Sequence, residues 1–192
     1  HKTSEQIAAI LKSLEDAGEL ALVTRVDSVK AEQLASLVEK AKFHDKARCL
    51  TVGSPGPFQP ELGEVVVLSG GTSDLVVASE AELALRWHGI QTRLLIDVGV
   101  AGLHRLLDQL ESLKKTKVLI ACAGMEGSLP TVLAGLVPQP VIGVPVSVGY
   151  GISARGKTAL EGMIASCAPG LVVVNIDNGY GAAMAAIRIL KA

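Results

Sequence analysis

The stretch Glu64-Val65-Val66-Val67-Leu68-Ser69-Gly70-Gly71-Thr72-Ser73-Asp74 decides the fold. Its first half is a continuous apolar run, which is how a strand covered on both faces reads; a strand with one wet face would alternate. The second half changes at once to glycines, hydroxyls and an aspartate, and Asp74–Trp87 carries on as an apolar helical stretch. Strand, Gly-rich turn and helix make one unit of a parallel α/β sheet.

The same order repeats downstream. Strands are predicted at Glu64–Leu68, Thr92–Asp97, Lys117–Cys122, Val141–Val146 and Leu171–Ile176. Each is followed by a predicted helix, at Asp74–Trp87, Leu103–Leu113, Leu129–Val137, Ala154–Ala165 and Gly181–Lys191. These units predict an α/β three-layer sandwich with a flavodoxin-like or Rossmann-like parallel sheet. Upstream, Gly53-Ser54-Pro55-Gly56-Pro57, then Pro60, reads as a linker. Before it, Ser4 is placed to cap a helix to about Ala17 with Ile7, Ile10, Leu11 and Leu14 on one face. Leu20–Val26 reads as a strand, Val29–Lys42 as a helix and Ala47–Val52 as a strand. Residues 1–60 are thus a small α/β N-terminal extension with its linker, and 61–192 the main domain.

Composition narrows the function. The 192 residues carry 18 Lys+Arg against 19 Asp+Glu, a formal net charge of −1. That balance, with two Phe, two Tyr and one Trp, leaves no electrostatic or stacking footprint for nucleic acid. A 49% hydrophobic content excludes disorder, and no apolar run is long enough for a membrane helix. Cys49, Cys122 and Cys167 are odd in number and widely spaced, which is neither a disulfide framework nor a zinc motif. A reduced, cytoplasmic setting is the expectation. The polar start without Met predicts a trimmed end and no signal peptide.

Functional groups in such folds gather at the carboxyl ends of the strands. There, Ser69-Gly70-Gly71-Thr72-Ser73-Asp74 offers close backbone approach, N–H groups and hydroxyls, and six such residues favour a phosphate or ribose cradle over a capped turn. Gly151-Ile152-Ser153-Ala154-Arg155-Gly156-Lys157-Thr158 matches G-x-x-x-x-G-K-[ST], but only one further strand–helix unit follows it. An NTPase needs more, so the match reads as accidental, in a loop that still lies on the functional edge. Gly179-Tyr180-Gly181 lacks the third small residue of a dinucleotide fingerprint, which is Met184. His44, His88 and His104 stand singly and read as surface or capping residues.

Asp97 ends a strand, and position leaves a site carboxylate and a helix cap equally open. Cys49 and Cys122 lie in apolar strands and are expected to be inert. Cys167, in Ser166-Cys167-Ala168-Pro169-Gly170 between helix and strand, reads by residue type alone as a packing cysteine before a nucleophile. Glu126, in Gly124-Met125-Glu126-Gly127-Ser128, suits acid/base work, with helix capping as the alternative.

Three segments carry a resemblance: Gly71-Thr72-Ser73-Asp74, Ala121-Cys122-Ala123-Gly124 with Leu129-Pro130, and Pro140-Val141-Ile142-Gly143-Val144-Pro145-Val146. From about residue 63 onward the chain resembles the AIR carboxylase (PurE-like) superfamily, which includes the purine-pathway carboxyaminoimidazole ribonucleotide mutase. It departs from that mutase in having Asp97-Val98-Gly99-Val100-Ala101-Gly102 where the mutase has Ala-His-Arg. It departs also in Gly71, in the Ser166–Gly170 segment and in Asn175-Ile176-Asp177-Asn178-Gly179. In these departures, and in Ala21-Leu22-Val23-Thr24-Arg25-Val26-Asp27, it resembles the LarB family, whose members carry further sequence at the N-terminus.

That resemblance implies carboxylation of the pyridinium ring of nicotinic acid adenine dinucleotide and release of AMP, toward a nickel-pincer cofactor. It implies Cys167 as the nucleophile and Glu126 as the acid/base group, with Ser73, Asp74, Asp97, Asn175, Asp177 and Asn178 positioning substrate. Gly70, Gly71, Thr72, Ala123, Gly124, Met125 and Gly179 complete the implied binding set. CO2 or bicarbonate is the implied co-substrate; no tightly bound cofactor is implied, and Mg2+ would serve to neutralise the anhydride, though no metal-ligand cluster is legible. The implied partners are the nucleotide and further copies of the chain, since this fold assembles so that subunits complete one another's sites. The rival readings are the purine mutase and a non-catalytic nucleotide-binding module.

Overall fold

A computed structural model of the chain describes residues 2–192. Two sheets organise it. The N-terminal unit contains α1 (Ser4–Asp16), β1 (Ala21–Val23), α2 (Ser28–Leu37), β2 (Ala41–His44) and β3 (Cys49–Val52). Its strands pair antiparallel in the order β1-β3-β2. Ile7 and Leu11 of α1 and Ala31 and Leu34 of α2 close over Leu50 and Val52 of β3, a small core of its own.

Three local expectations are corrected here. The cap of α1 is Thr3, in a reciprocal pair with Gln6, and Ser4 instead donates from its buried hydroxyl to Gln33 at 2.6 Å. The helix expected over Val29–Lys42 stops at Leu37, because Ala41–His44 is drawn into pairing with Cys49–Val52. That pairing is a hairpin closed through Asp45–Arg48, and its cross-strand contacts outweigh the helical pattern. The strand expected over Leu20–Val26 is shortened to β1, since Arg25 turns into the left-handed region (φ 58°) ahead of Asp27, which caps α2.

The main domain follows with β4 (Glu64–Ser69), α3 (Leu75–Trp87), β5 (Gln91–Leu95), α4 (Leu103–Leu107), α5 (Leu110–Leu113) and β6 (Val118–Ala123). It ends with α6 (Ser128–Leu136), β7 (Val141–Pro145), α7 (Lys157–Ile164), β8 (Leu171–Val173) and α8 (Gly179–Leu190). The five strands are parallel in the order β5-β4-β6-β7-β8, as the three-layer expectation required. The predicted helix Leu103–Leu113 is two short pieces around Asp108 and Gln109, each burying one leucine, Leu106 and Leu113. The helix expected from Ala154 begins at Lys157, after a 3-10 segment over Gly151–Gly156.

The apolar run of β4 is an inner strand of the sheet, between β5 and β6. Val65, Val66, Val67 and Leu68 are fully buried, the odd residues facing α3 and α8 and the even ones facing Leu106, Leu113, Leu129 and Leu133. Each such burial is worth about 1.5–3 kcal/mol, and a charge placed on either face would have no water to meet. The linker is tied down too: Gly56 N–H donates to the Trp87 carbonyl at 2.8 Å and Gln59 N–H to that of Gly89 at 2.9 Å.

Candidate active site

β4 sends its chain toward β5 on one side, and β6 sends its own toward β7 on the other. The sheet order therefore reverses between β4 and β6. At such a switch point the loops after the two strands part and leave a crevice at the carboxyl edge. Here that crevice is a pocket of about 420 Å³, within the size range of small-molecule sites. The loop after β4 contributes Gly70, Gly71, Ser73 and Asp74, and the loop after β6 contributes Ala123, Gly124, Met125, Glu126 and Ser128. Gly99, Val100 and Ala101 close one side, and Val148, Gly149 and Tyr150 the other.

Asp74 holds the two main loops together. It is 6% exposed, and its carboxylate accepts from Gly71 N–H at 2.8 Å and from Gly124 N–H at 3.0 Å. Burial pushes its pKa up, more than these two N–H donors pull it down. Both its oxygens are thus committed to backbone, so Asp74 shapes the cradle from beneath. Gly124 is fitted closely: a Cβ there would strike the Val148 carbonyl, which receives Met125 N–H at 3.3 Å. The N–H groups of Thr72 and Ser73 open a 3-10 turn, where no preceding carbonyl is in register to receive them, so they are free for an anion.

Glu126 is exposed in the pocket and accepts from the Ser128 hydroxyl. It does not cap α6, whose N-cap is Gly127 in the left-handed region with no side-chain bond. Asp97 lies just outside the pocket lining, paired with Arg105, while its N–H donates to the Ser69 hydroxyl at 3.3 Å. Asn178 caps α8 through Gly181 N–H at 2.9 Å, and Asn175 accepts from its neighbour Ile176 N–H at 2.8 Å. Asp177 accepts from Ser147 N–H at 2.8 Å, tying the loop after β8 to the loop after β7. Gly179 is buried against the Val77 carbonyl of α3. None of these four residues lines the pocket, and Asp177 alone of them lines a second cleft next to it.

Cys167 is placed elsewhere. It is exposed, in the connection from α7 to β8, and Gly170 of that connection accepts from Val141 N–H at the first residue of β7. That is the amino edge of the sheet, opposite the pocket, so the chain does not bring Cys167 to its own Glu126. Cys49 and Cys122 are both fully buried. Burial pushes the Cys49 thiol up to about 12 and the Cys122 thiol up as well, as inert thiols should be. His88 bonds through its ring to the Ala84 carbonyl at the end of α3, a capping role, and among the described residues no histidine lines the pocket.

The Gly151–Thr158 loop is built for its own closure. Gly156 is left-handed (φ 71°), a Cβ there would meet Ile176 at 2.9 Å, and the Thr158 hydroxyl donates to the Ile152 carbonyl at 2.8 Å. Lys157 is exposed and pairs with Glu161 at 3.6 Å. Among the described residues no three His, Cys, Asp or Glu side chains come together to hold a metal ion. No helix among the described residues is long and apolar enough to cross a membrane.

Several participants carry little sequence signal. Val148 and Tyr150 reach the pocket from the loop after β7, which was expected on the functional edge with neither residue singled out, and Glu80 reads as one more charge on a helix. Glu80 is in fact 6% exposed and accepts from Tyr180 N–H at 2.8 Å. Burial pushes its carboxyl up, against the pull of that N–H and of the Arg25 charge. A buried Glu in an otherwise apolar helix face was the available clue.

A flavodoxin-like α/β protein with a pocket of small-molecule size at its sheet's switch point is the class that fold and site define. Residues 64–192 match the AIR carboxylase family, and residues 1–54 match the LarB/PurE-like N-terminal domain. The chain belongs to the AIR carboxylase family. It is 41% identical over 196 residues to an uncharacterized protein of Methanocaldococcus jannaschii, across 97% of this chain and 74% of the relative. It is 35% identical over 131 residues to the N5-carboxyaminoimidazole ribonucleotide mutase of the same organism, across 66% of this chain and 78% of that enzyme. Treponema denticola PurE shares the fold at a TM-score of 0.57 and 21% identity, over 67% of this chain and 80% of its own.

Proposed function

We propose that the protein carboxylates the pyridinium ring of nicotinic acid adenine dinucleotide and hydrolyses the phosphoanhydride to release AMP, as LarB enzymes do. The observation that carries this reading is the exposed Glu126 in the family pocket, the lining carboxylate not tied to backbone N–H groups and, among the described residues, with no histidine beside it. The match of residues 1–54 to a LarB-type N-terminal domain supports it.

A pyridinium ring is too electron-poor to attack CO2. Thiolate addition to a ring carbon removes the aromaticity and leaves an enamine with a nucleophilic carbon. That carbon bonds to CO2, Glu126 takes the proton from the same carbon, and the C–S bond breaks to return the thiolate and the aromatic ring. One difficult step becomes several easier ones. Cys167 is the thiol available in solution, and its place on the amino edge means that a second copy of the chain delivers it to the pocket. The protein therefore works as a homo-oligomer in this reading. The Thr72 and Ser73 N–H groups and the N-terminus of α6 hold phosphate.

The test is incubation of the full chain with 14C-bicarbonate and nicotinic acid adenine dinucleotide. Label in a pyridinium mononucleotide together with AMP is the expected result, lost in Cys167→Ser. A folded, Mg2+-supplemented protein that incorporates no label refutes the proposal. The second reading is the ribonucleotide mutase activity of the 35% identical relative, favoured by the shared strand-end loops. Interconversion of carboxyaminoimidazole ribonucleotides in the same assay format would establish it instead.

A further inference from the structure

Beside the strand-end pocket lies a second cleft of about 380 Å³, between the N-terminal unit and the main domain. Ser73 and Val148 line both, so the two spaces adjoin there. Val76, Val146 and Val148 supply an apolar wall, and Arg25 and Arg48 enter from the N-terminal side.

The charges in this cleft are unevenly committed. Asp27 caps α2 by accepting Lys30 N–H at 2.8 Å, Asp177 accepts Ser147 N–H at 2.8 Å, and Glu80 accepts Tyr180 N–H at 2.8 Å. Neither arginine forms an ion pair among the described residues; Arg25 makes one long contact, 3.5 Å, to the Asp177 carbonyl. Each carboxylate thus has one oxygen on a backbone donor, and Glu80 feels the Arg25 charge, but neither guanidinium group is held in an ion pair. Both arginines also sit in the left-handed region, Arg25 at φ 58° and Arg48 at φ 48°, where glycine would cost less. Residues kept in such conformations concentrate at ligand clamps.

We infer that this cleft is the subsite for the adenylate half of a dinucleotide, with Arg25 and Arg48 on its phosphate and the valine wall against its base. Guanidinium groups match phosphate oxygens in a fork geometry that lysine cannot copy. The pyridinium half then occupies the strand-end pocket, and the anhydride lies where the two spaces join at Ser73. The inference rests on the proposed pyridinium dinucleotide substrate. It gives the N-terminal unit a part in recognition, because both arginines lie outside the AIR carboxylase match and select a dinucleotide over a mononucleotide.

The test is calorimetric titration of the full chain and its Arg25→Gly and Arg48→Gly variants with AMP, nicotinic acid adenine dinucleotide and nicotinic acid mononucleotide. Glycine removes the guanidinium without adding backbone strain, and Arg25→Lys and Arg48→Lys restore the charge alone. The parent is expected to bind AMP. Each Gly variant is expected to lose about tenfold or more in affinity for AMP and the dinucleotide, with mononucleotide affinity unchanged. Each Lys variant recovers part of the loss. No AMP binding by the parent, unchanged dinucleotide affinity in both Gly variants, or equal loss for mononucleotide and dinucleotide overturns the subsite. Dinucleotide turnover that is indifferent to both arginines removes the subsite and leaves the proposed function standing. Arginine-dependent AMP binding in a chain that ignores the pyridinium nucleotides keeps the subsite and removes the function.

Discussion

Replacing Asp74 tests whether this carboxylate builds the site or merely lines it. In Asp74→Ala, the N–H groups of Gly71 and Gly124 lose their acceptor, 2.8 and 3.0 Å away. An unsatisfied buried donor costs about 1–3 kcal/mol. Both bonds are partly buried, so the lower half of that range applies to each, giving about 2–4 kcal/mol for the pair. That is a large fraction of the about 5–15 kcal/mol that holds a typical domain. Asp74→Asn keeps one acceptor and sets an amide NH2 against the other N–H, for about 1–3 kcal/mol.

Stability is read from urea unfolding at fixed protein concentration, so that any linkage to association is held constant. Hydrogen exchange at Gly71 and Gly124 should speed up before the rest of the sheet. The pH dependence has a definite sign. Burial raises the folded pKa of Asp74, so the stability linked to its protonated form is complete below about 3.9 and is lost as pH rises through the higher folded value. Asp74→Asn lacks that titration, so the parent gains on it as pH falls toward about 4. If both variants unfold within about 0.5 kcal/mol of the parent, the two-loop clamp is not what organises the cradle.

Two glycines separate close packing from free space. Gly124→Ala drives a Cβ into the Val148 carbonyl and should cost about 1–3 kcal/mol, whereas Gly135→Ala, with nothing within 4 Å in α6, should stabilise by about 0.5–1 kcal/mol; equal thermal shifts would contradict this. A thiol reagent should titrate one fast cysteine per native chain, Cys167, and all of Cys49, Cys122 and Cys167 once the protein is denatured. Labelling of Cys49 or Cys122 ahead of Cys167, seen by peptide mass spectrometry, would go against their burial. Glu126→Gln should lower the carboxylation rate by about 10²–10⁴-fold with little change in substrate affinity, and a rate near that of the parent would take the proton-transfer role away from Glu126.

What could be read in the chain itself was whatever local chemistry enforces. A run such as Val65–Leu68 buries both faces in any parallel sheet, and a Gly-rich turn after it must fall at the carboxyl edge, so the fold class and the position of that loop were legible. The helix expected through Lys42 was not, because β2 exists only through its pairing with β3. Site roles divided the same way. Ser73, Gly124 and Glu126 were legible as loop residues, but Asp74 looked like a substrate contact until its two oxygens were found committed to Gly71 and Gly124. Cys167 carries the same residue type and spacing wherever it lies. Only the direction of the chain through β8 places it on the far edge of the sheet and makes a second copy necessary to the proposed chemistry. Arg25 and Arg48 are 23 positions apart in a nearly neutral chain, and nothing local marks them. Their convergence on one cleft is a property of the tertiary structure, because it depends on how the N-terminal unit docks against α3 and the loops after β7 and β8.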